Sequence, residues 1–135
     1  MERSHLKSRG EVEASICDAI THFQQEYMGR GPKAIHAYLI DDLLVVRVEG
    51  ALTIAEQQLA NSLTSDKGRD LIKQVRTQLV ESARHSLEPM IAAITGTEPR
   101  SLHYDISTRT GEEVLVFVLA ESPPVRETAR KDKPR

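Results

Sequence analysis

Between Tyr27 and Leu59 the chain leaves almost no slack between one structural element and the next. Gly29-Arg30-Gly31-Pro32-Lys33 ends a helix, Asp41-Asp42 turns a hairpin, and Thr53-Ile54-Ala55-Glu56 opens a second helix. Gly29 suits a left-handed C-terminal cap, and Pro32 forbids continuation. Residues 34–40 and 43–49 read as two strands around Asp41-Asp42. A two-residue turn pairs Ile40 with Leu43, Leu39 with Leu44, Ala37 with Val46, and Ile35 with Val48. The core face then carries Ile35, Ala37, Leu39, Leu44, Val46 and Val48; the opposite face carries His36, Tyr38, Val45, Arg47 and Glu49. Thr53 and Glu56 have the spacing of a capping box.

The flanking segments complete the pattern. Val12, Ile16, Ile20, Phe23 and Tyr27 recur at helical spacing, which predicts an amphipathic helix over residues 11–28. Ser8 and Glu11 form a capping box at its start. After a break at Ser65-Asp66-Lys67-Gly68, one stripe carries Leu71, Ile72, Val75, Leu79, Ala83, Leu87, Met90, Ile91 and Ile94. This predicts a long helix that Pro89 kinks near His85, or restarts with Pro89 in a first turn, and that Gly96 ends. Strands follow at about residues 101–107 and 113–120, and the run from Val114 to Leu119 is apolar on both faces, as expected of a central, covered strand. The order α-β-β-α-α-β-β predicts an α+β two-layer sandwich, with helices on one face of a four-stranded, mainly antiparallel sheet. Tyr38, Val45, Leu115 or Phe117 would then be left on the other face, as an interface for a homodimer or another protein.

Composition narrows the function classes. A chain of 135 residues with 39% hydrophobic and 28% charged content fits one soluble globular domain. A formal net charge of −2 gives no global field to attract nucleic acid or an anionic membrane. Cys17 is the single cysteine, so no intramolecular disulfide and no cysteine-based zinc site can form, which fits a cytoplasmic setting. No apolar run approaches the ~20 residues that span a bilayer. A polar arm (residues 1–9) and a basic tail expected to be disordered (residues 122–135) flank a single domain at residues 10–121.

Candidate sites are few. Arg30, Gly31 and Lys33 could offer backbone N–H groups and cations to a small anion, although a helix C-terminus repels anions. His36, Tyr38, Arg47 and Glu49 share a sheet face, and Arg76, beside Val75, is placed to reach a strand edge or a partner. His36, Arg47 and Glu49 are also the groups a small-molecule site would use. His103 and Asp105 alternate onto one face, without an activated nucleophile to accompany them. No histidine has metal-ligand spacing with an acid, and no cofactor motif is present, so neither a metal nor a cofactor is expected. Cys17 reads as a small hydrophobe, and Arg84 as a partner of Glu81 and Glu88 at helical spacing. The helix and strand order resembles a type II KH domain, whose backbone clamp would fall at residues 64–69. That segment has one glycine and an aspartate, and aromatic content is 4%, so nucleic acid is disfavoured.

The combination of Gly29-Arg30-Gly31-Pro32, the Asp41-Asp42 hairpin with Leu43-Leu44-Val45-Val46, and Gly50-Ala51-Leu52-Thr53 with Glu56 and Leu59 resembles the MpsC family. The resemblance extends from about Val12 to Leu119 and includes Arg76 and Val116-Phe117-Val118-Leu119. It implies a small non-enzymatic cytosolic protein, accessory or regulatory to a bacterial sodium-translocating, membrane-potential-generating system linked to inorganic carbon supply. The implied partner is a membrane transporter subunit or another protein, and any membrane association is peripheral, through that partner.

Overall fold

The computed structural model describes residues 6–62 and 65–126. In chain order it contains α1 (Arg9–Phe23), a π-turn (Gln24–Met28), β1 (Ala34–Ile40), β2 (Leu43–Glu49), α2 (Ile54–Ser62), α3 (Ser65–Ser82), α4 (Arg84–Thr95), β3 (Pro99–Ile106) and β4 (Glu113–Leu119). The four strands form one antiparallel sheet in the order β1-β2-β4-β3. The fold is the expected α+β sandwich, with the long helix divided into α3 and α4.

The hairpin has the register that its turn dictates, with Ile40 opposite Leu43 and Ile35 opposite Val48. Asp41 supplies the one left-handed residue of the turn other than glycine in the described chain, at φ 55°. Both capping boxes form: Ser8 with Glu11 at α1, and Thr53 with Glu56 at α2. Gly29 takes the left-handed cap expected of it, and Gly96 ends its helix in the same left-handed conformation.

The first helix differs from expectation at its end. Its buried positions are Val12, Ile16, Ile20, Gln24 and Met28, a strict four-residue repeat. An α-helix with 3.6 residues per turn would rotate such a stripe steadily away from the sheet. The wider π-turn absorbs that drift. Met28 therefore points inward, and Tyr27 lies outside, stacked on Phe23 with ring centroids 5.3 Å apart.

The core lies between the sheet and the inner faces of α1, α3 and α4. Ile16, Ile20, Val80, Leu87 and Ile91 meet Leu44, Val46, Leu115 and Phe117 there. β4 is central, but only one of its faces is covered by helices. Glu113, Leu115, Phe117 and Leu119 face the core, so the outward residues are Val114, Val116 and Val118 rather than Leu115 or Phe117. Register sets this parity, because Leu115 sits opposite core-facing Val46.

Two further expectations are sharpened. The long helix breaks at Ala83 (φ −90°, ψ 0°), close to the kink expected near His85, and Pro89 lies inside α4 rather than in its first turn. The proline ring conflicts with the carbonyl of His85, and the chain takes its bend just before that residue. The tail is not free from Ser122 onward. The Arg126 N–H donates to the Lys7 carbonyl at 2.8 Å, its guanidinium donates to the Leu6 carbonyl at 3.0 Å, and Pro123 is buried. Residues 127–135 lie outside the described residues.

α1 lies against the outer edge of β1 and takes up two of its backbone groups. Glu13 accepts the N–H of Leu39 at 2.8 Å, and the thiol of Cys17, one turn later, points at the Ile35 carbonyl at 3.9 Å. Cys17 is thus half-buried at the sheet edge, and burial together with Asp18 pushes its pKa up. Two groups that would help template a further strand, the Leu39 N–H and the Ile35 carbonyl, are engaged instead by a helix.

The segment set against a KH clamp is not an open loop. From Ser65 onward it belongs to α3, and Thr64 lies outside the described residues. Gly68 is buried where α3 meets α2, and a Cβ there would stand 2.6 Å from the Leu59 carbonyl oxygen. Gly68→Ala adds about 1 kcal/mol of helix propensity but forces the two helices apart, at about 1–3 kcal/mol. A net fall in the urea midpoint is expected; a midpoint at or above that of the parent chain would refute close packing here.

Candidate functional site

The densest cluster of ionisable groups is inside the protein. Arg76 on α3 has no solvent exposure, and groups from four other chain segments gather around it. Its Nη1 donates to both carboxylate oxygens of Glu56, in the first turn of α2, at 2.7 and 2.8 Å. Its Nη2 donates to Oε2 of Glu113, the first residue of β4, at 3.1 Å, and to Oε1 of Gln24, in the π-turn, at 3.3 Å. Tyr104 on β3 donates its hydroxyl to Glu113 Oε1 at 2.9 Å, and Gln24 Nε2 donates to the same oxygen at 3.4 Å. Glu56 also accepts the Thr53 N–H, so one carboxylate caps α2 and holds the guanidinium. Buried Arg76 Nε has no partner among the described residues.

The charges set the electrostatics. Burial raises the pKa of Glu113, and Arg76, Tyr104 and Gln24 offset this only in part. For Arg76, burial acts against the charge, but Glu113, Tyr104 and Glu56 outweigh it, so its pKa stands above the ordinary arginine value. Burial, then the neighbouring Glu113, pushes the Tyr104 hydroxyl up, and it stays a proton donor. With Arg76 fully enclosed, this arrangement joins α2, α3, the π-turn, β3 and β4, and it stores one proton-sensitive carboxylate inside.

Arg76 was expected on a partner surface or strand edge, and the structure places it in the interior. The apolar stripe predicted for this helix splits in two. Ile72, Arg76, Val80 and Ala83 turn inward, while Leu71 and Val75 are 42% and 45% exposed. The signals were parity signals. Arg76 lies four residues from both Ile72 and Val80, and Glu113 occupies the core-facing parity of β4. Opposite charges on two inward stripes meet. Gln24, Glu56, Tyr104 and Glu113 were not singled out as a site by sequence reasoning.

The residues proposed for an anion close a turn. Arg30 Nη1 donates to the Leu52 carbonyl at 3.0 Å, which also accepts from Gln57 at 3.0 Å. The Lys33 N–H donates to the Glu49 carbonyl at 2.8 Å, and the stem of Lys33 lies over Gly50, where a Cβ would meet it at 2.7 Å. A Cβ on Gly31 would meet the Gln25 side chain at 2.9 Å. The motif thus anchors the hairpin and the start of α2 beside the arginine cluster.

His36, Tyr38, Arg47 and Glu49 come together on the outer sheet face. His36 stacks with Tyr38 at 6.3 Å between ring centroids, and Arg47 is paired with Glu49 at 3.0 Å and with Glu112. The hydrogen bond and charge of Glu112 raise the pKa of Arg47, but the group is exposed and solvent screens the pair. Asp105 shares this face with His103 and is paired with Lys73 at 2.9 Å, which lowers its pKa. Among the described residues, no group of three or more histidine, cysteine or acidic side chains is placed to hold a metal ion.

A family model described as the Na+-translocating membrane potential-generating system (MpsC) matches residues 8–121. The chain belongs to the MpsC family. It is 40% identical over 113 residues to the Bacillus subtilis (strain 168) protein YbcI, covering 84% of this chain and 89% of that protein. It is 28% identical over 102 residues to YrhF of the same organism, covering 75% and 81%. Both relatives carry the description "uncharacterized protein". No solved structure matches the chain. In this MpsC member, the motifs Gly29-Arg30-Gly31-Pro32 and Thr53 with Glu56 all border the Arg76 cluster.

Removing one partner of a buried ion pair costs about 3–5 kcal/mol, whereas an apolar replacement of both is often tolerated. Arg76→Met is expected to lose about that much at pH 7, and Arg76→Met with Glu113→Leu to recover most of it. Because the folded pKa of Glu113 is raised above its ordinary 4.5, its contribution to stability is fullest below 4.5 and declines as pH rises through its folded pKa. Glu113→Gln should flatten the stability profile above pH 4.5, and Arg76→Met should extend the decline to higher pH. Urea unfolding across pH checks both; a parent profile that rises through this window and is unchanged by Glu113→Gln would refute the assignment.

Proposed function

We propose that this MpsC member is a non-enzymatic, cytoplasmic accessory protein that acts by contact on a Na+-translocating, membrane-potential-generating system. The observation that carries this reading is the outer surface of α3. A helix that turns an arginine inward and leaves Leu71 and Val75 in water has its second apolar stripe available for another protein. Gln74, Val75, Gln78, Leu79 and Ser82 line a shallow groove along it. The groove's own residues carry no charge, and an apolar helix surface of a partner fits it. Family membership supports the choice of system. The sealing of the main ionisable cluster inside the protein supports a role without chemistry of its own. No helix among the described residues is long and apolar enough to cross a membrane, so the reading routes any membrane association through the partner.

The test replaces Leu71 and Val75 together by glutamate. Both side chains are exposed, so stability should change by no more than about 0.5 kcal/mol per site. In a strain lacking the gene, the parent chain should restore the Na+-dependent membrane potential and the double variant should not. A photo-crosslinker at Val75 should capture an integral subunit of that system at native expression. Full restoration by the double variant, or an unaltered membrane potential in the deletion strain, would reject the reading.

A further inference from the structure

Three donors and, among the described residues, no acceptor point at the buried carboxylate of Glu113. Arg76 Nη2, from α3, donates to Oε2 at 3.1 Å. The Tyr104 hydroxyl, from β3, and Gln24 Nε2, from the π-turn, donate to Oε1 at 2.9 and 3.4 Å. Its neighbours across the ladder are apolar, Val48 on β2 and Ile106 on β3. Glu56, from α2, faces it across the guanidinium that the two carboxylates share.

Such a pocket fits an ionised carboxylate, because an acid would bring a fourth donor to it. Charge balance favours the acid. With both glutamates ionised, two negative charges stand against one positive charge. The Glu56 side chain is 20% exposed and water attenuates its charge, whereas that of Glu113 is 0% exposed. The surplus charge therefore rests on Glu113, and burial pushes its pKa up. Hydrogen bonding and burial thus pull one group in opposite directions, and two arrangements compete.

The second arrangement follows from the atoms at hand. A proton on Glu113 can be accepted by the Tyr104 oxygen, which must then turn its own hydrogen off Oε1. It can also be accepted by Gln24, turned over so that Oε1 takes the place of Nε2. That Oε1 would then leave Arg76 Nη2, from which it accepts at 3.3 Å. Either way Arg76 Nη2 faces a neutral acid in place of a carboxylate, and a bond without that charge is about half as strong. Arg76 Nη1 keeps both oxygens of Glu56.

We propose that Glu113 is a proton-operated switch for the seating of α3. With the carboxylate ionised, Arg76 ties α3 to β4 and to α2 together. With a proton from solvent on it, the charged tie to β4 lapses, and α3 settles with α2 about the remaining Arg76–Glu56 pair. Val75 and Leu79 of the outer groove belong to the same helix, so the groove moves with it. A change in docking rests on the reading given above; the movement does not.

The experiment uses the full chain without a partner, so a failure of the docking reading leaves its result intact. NMR follows the Glu113 carboxyl carbon and the α3 backbone amides from roughly pH 4 to pH 9. The carbon should titrate with a midpoint above the ordinary 4.5, and the amides of Val75, Thr77 and Leu79 should shift with the same midpoint. Glu113→Gln should abolish that transition and hold these amides near their acid-side positions at every pH. Tyr104→Phe removes a donor to the carboxylate and should move the shared midpoint upward; should Glu113→Gln fail to fold, this variant decides alone. The proposal is overturned by a carboxyl group that keeps one protonation state throughout, by α3 amides that do not follow it, by an α3 transition that survives Glu113→Gln, or by a Tyr104→Phe midpoint that stays or falls.

Discussion

One buried guanidinium organises this protein. Arg76 has no access to water, and two carboxylates, an amide and, through Glu113, a phenol are arranged around it. An unpaired charge in such a place is prohibitively costly, so the segments that bring those partners must all be in position when the fold closes. The π-turn places Gln24, the capping box places Glu56, and the start of β4 places Glu113. The glycine- and proline-rich turn that precedes the hairpin matters because it delivers two of these segments to one corner. A cluster of this kind adds specificity of arrangement more than net stability.

That inward turn of α3 has a consequence on the opposite side. Rotating the helix to bring in Arg76 carries Leu71 and Val75 outward. The same economy appears in the sheet: with helices on one face only, the alternating residues of a central valine-rich strand are left without cover. The molecule thus presents two apolar surfaces, one helical with neutral neighbours and one flat, bordered by ion pairs made within the chain.

Much of the fold was legible because local signals agreed. A two-residue turn between alternating segments sets the register of β1 and β2, and the glycines and capping boxes mark helix ends through short-range chemistry. Long-range choices were harder to read. The stripe Leu71-Ile72-Val75-Leu79 is wide enough to be buried in more than one rotation, and the distant partners of Arg76 (Gln24, Glu56 and Glu113) fit the one adopted. The π-turn was written in the four-residue spacing of Val12, Ile16 and Ile20, but Gln24 and Met28 could be added to that series only once a buried glutamine had a partner. Ser122–Arg126 looked too polar to pack, and the backbone of Lys7 and Leu6 supplied what its side chains lacked.

The pairing of Arg126 with the N-terminal arm bears on when the fold is completed. Leu6 and Arg126 are 120 positions apart, so nearly the whole chain lies between the two ends of this contact. Closing so large a loop in an unfolded chain is entropically unfavourable, but after the sheet and helices have formed the two ends are already neighbours and little further ordering is required. The contact is therefore among the last to form. During synthesis Arg126 leaves the ribosome after every strand and helix, and the latch between the two ends engages only on a domain that is otherwise complete.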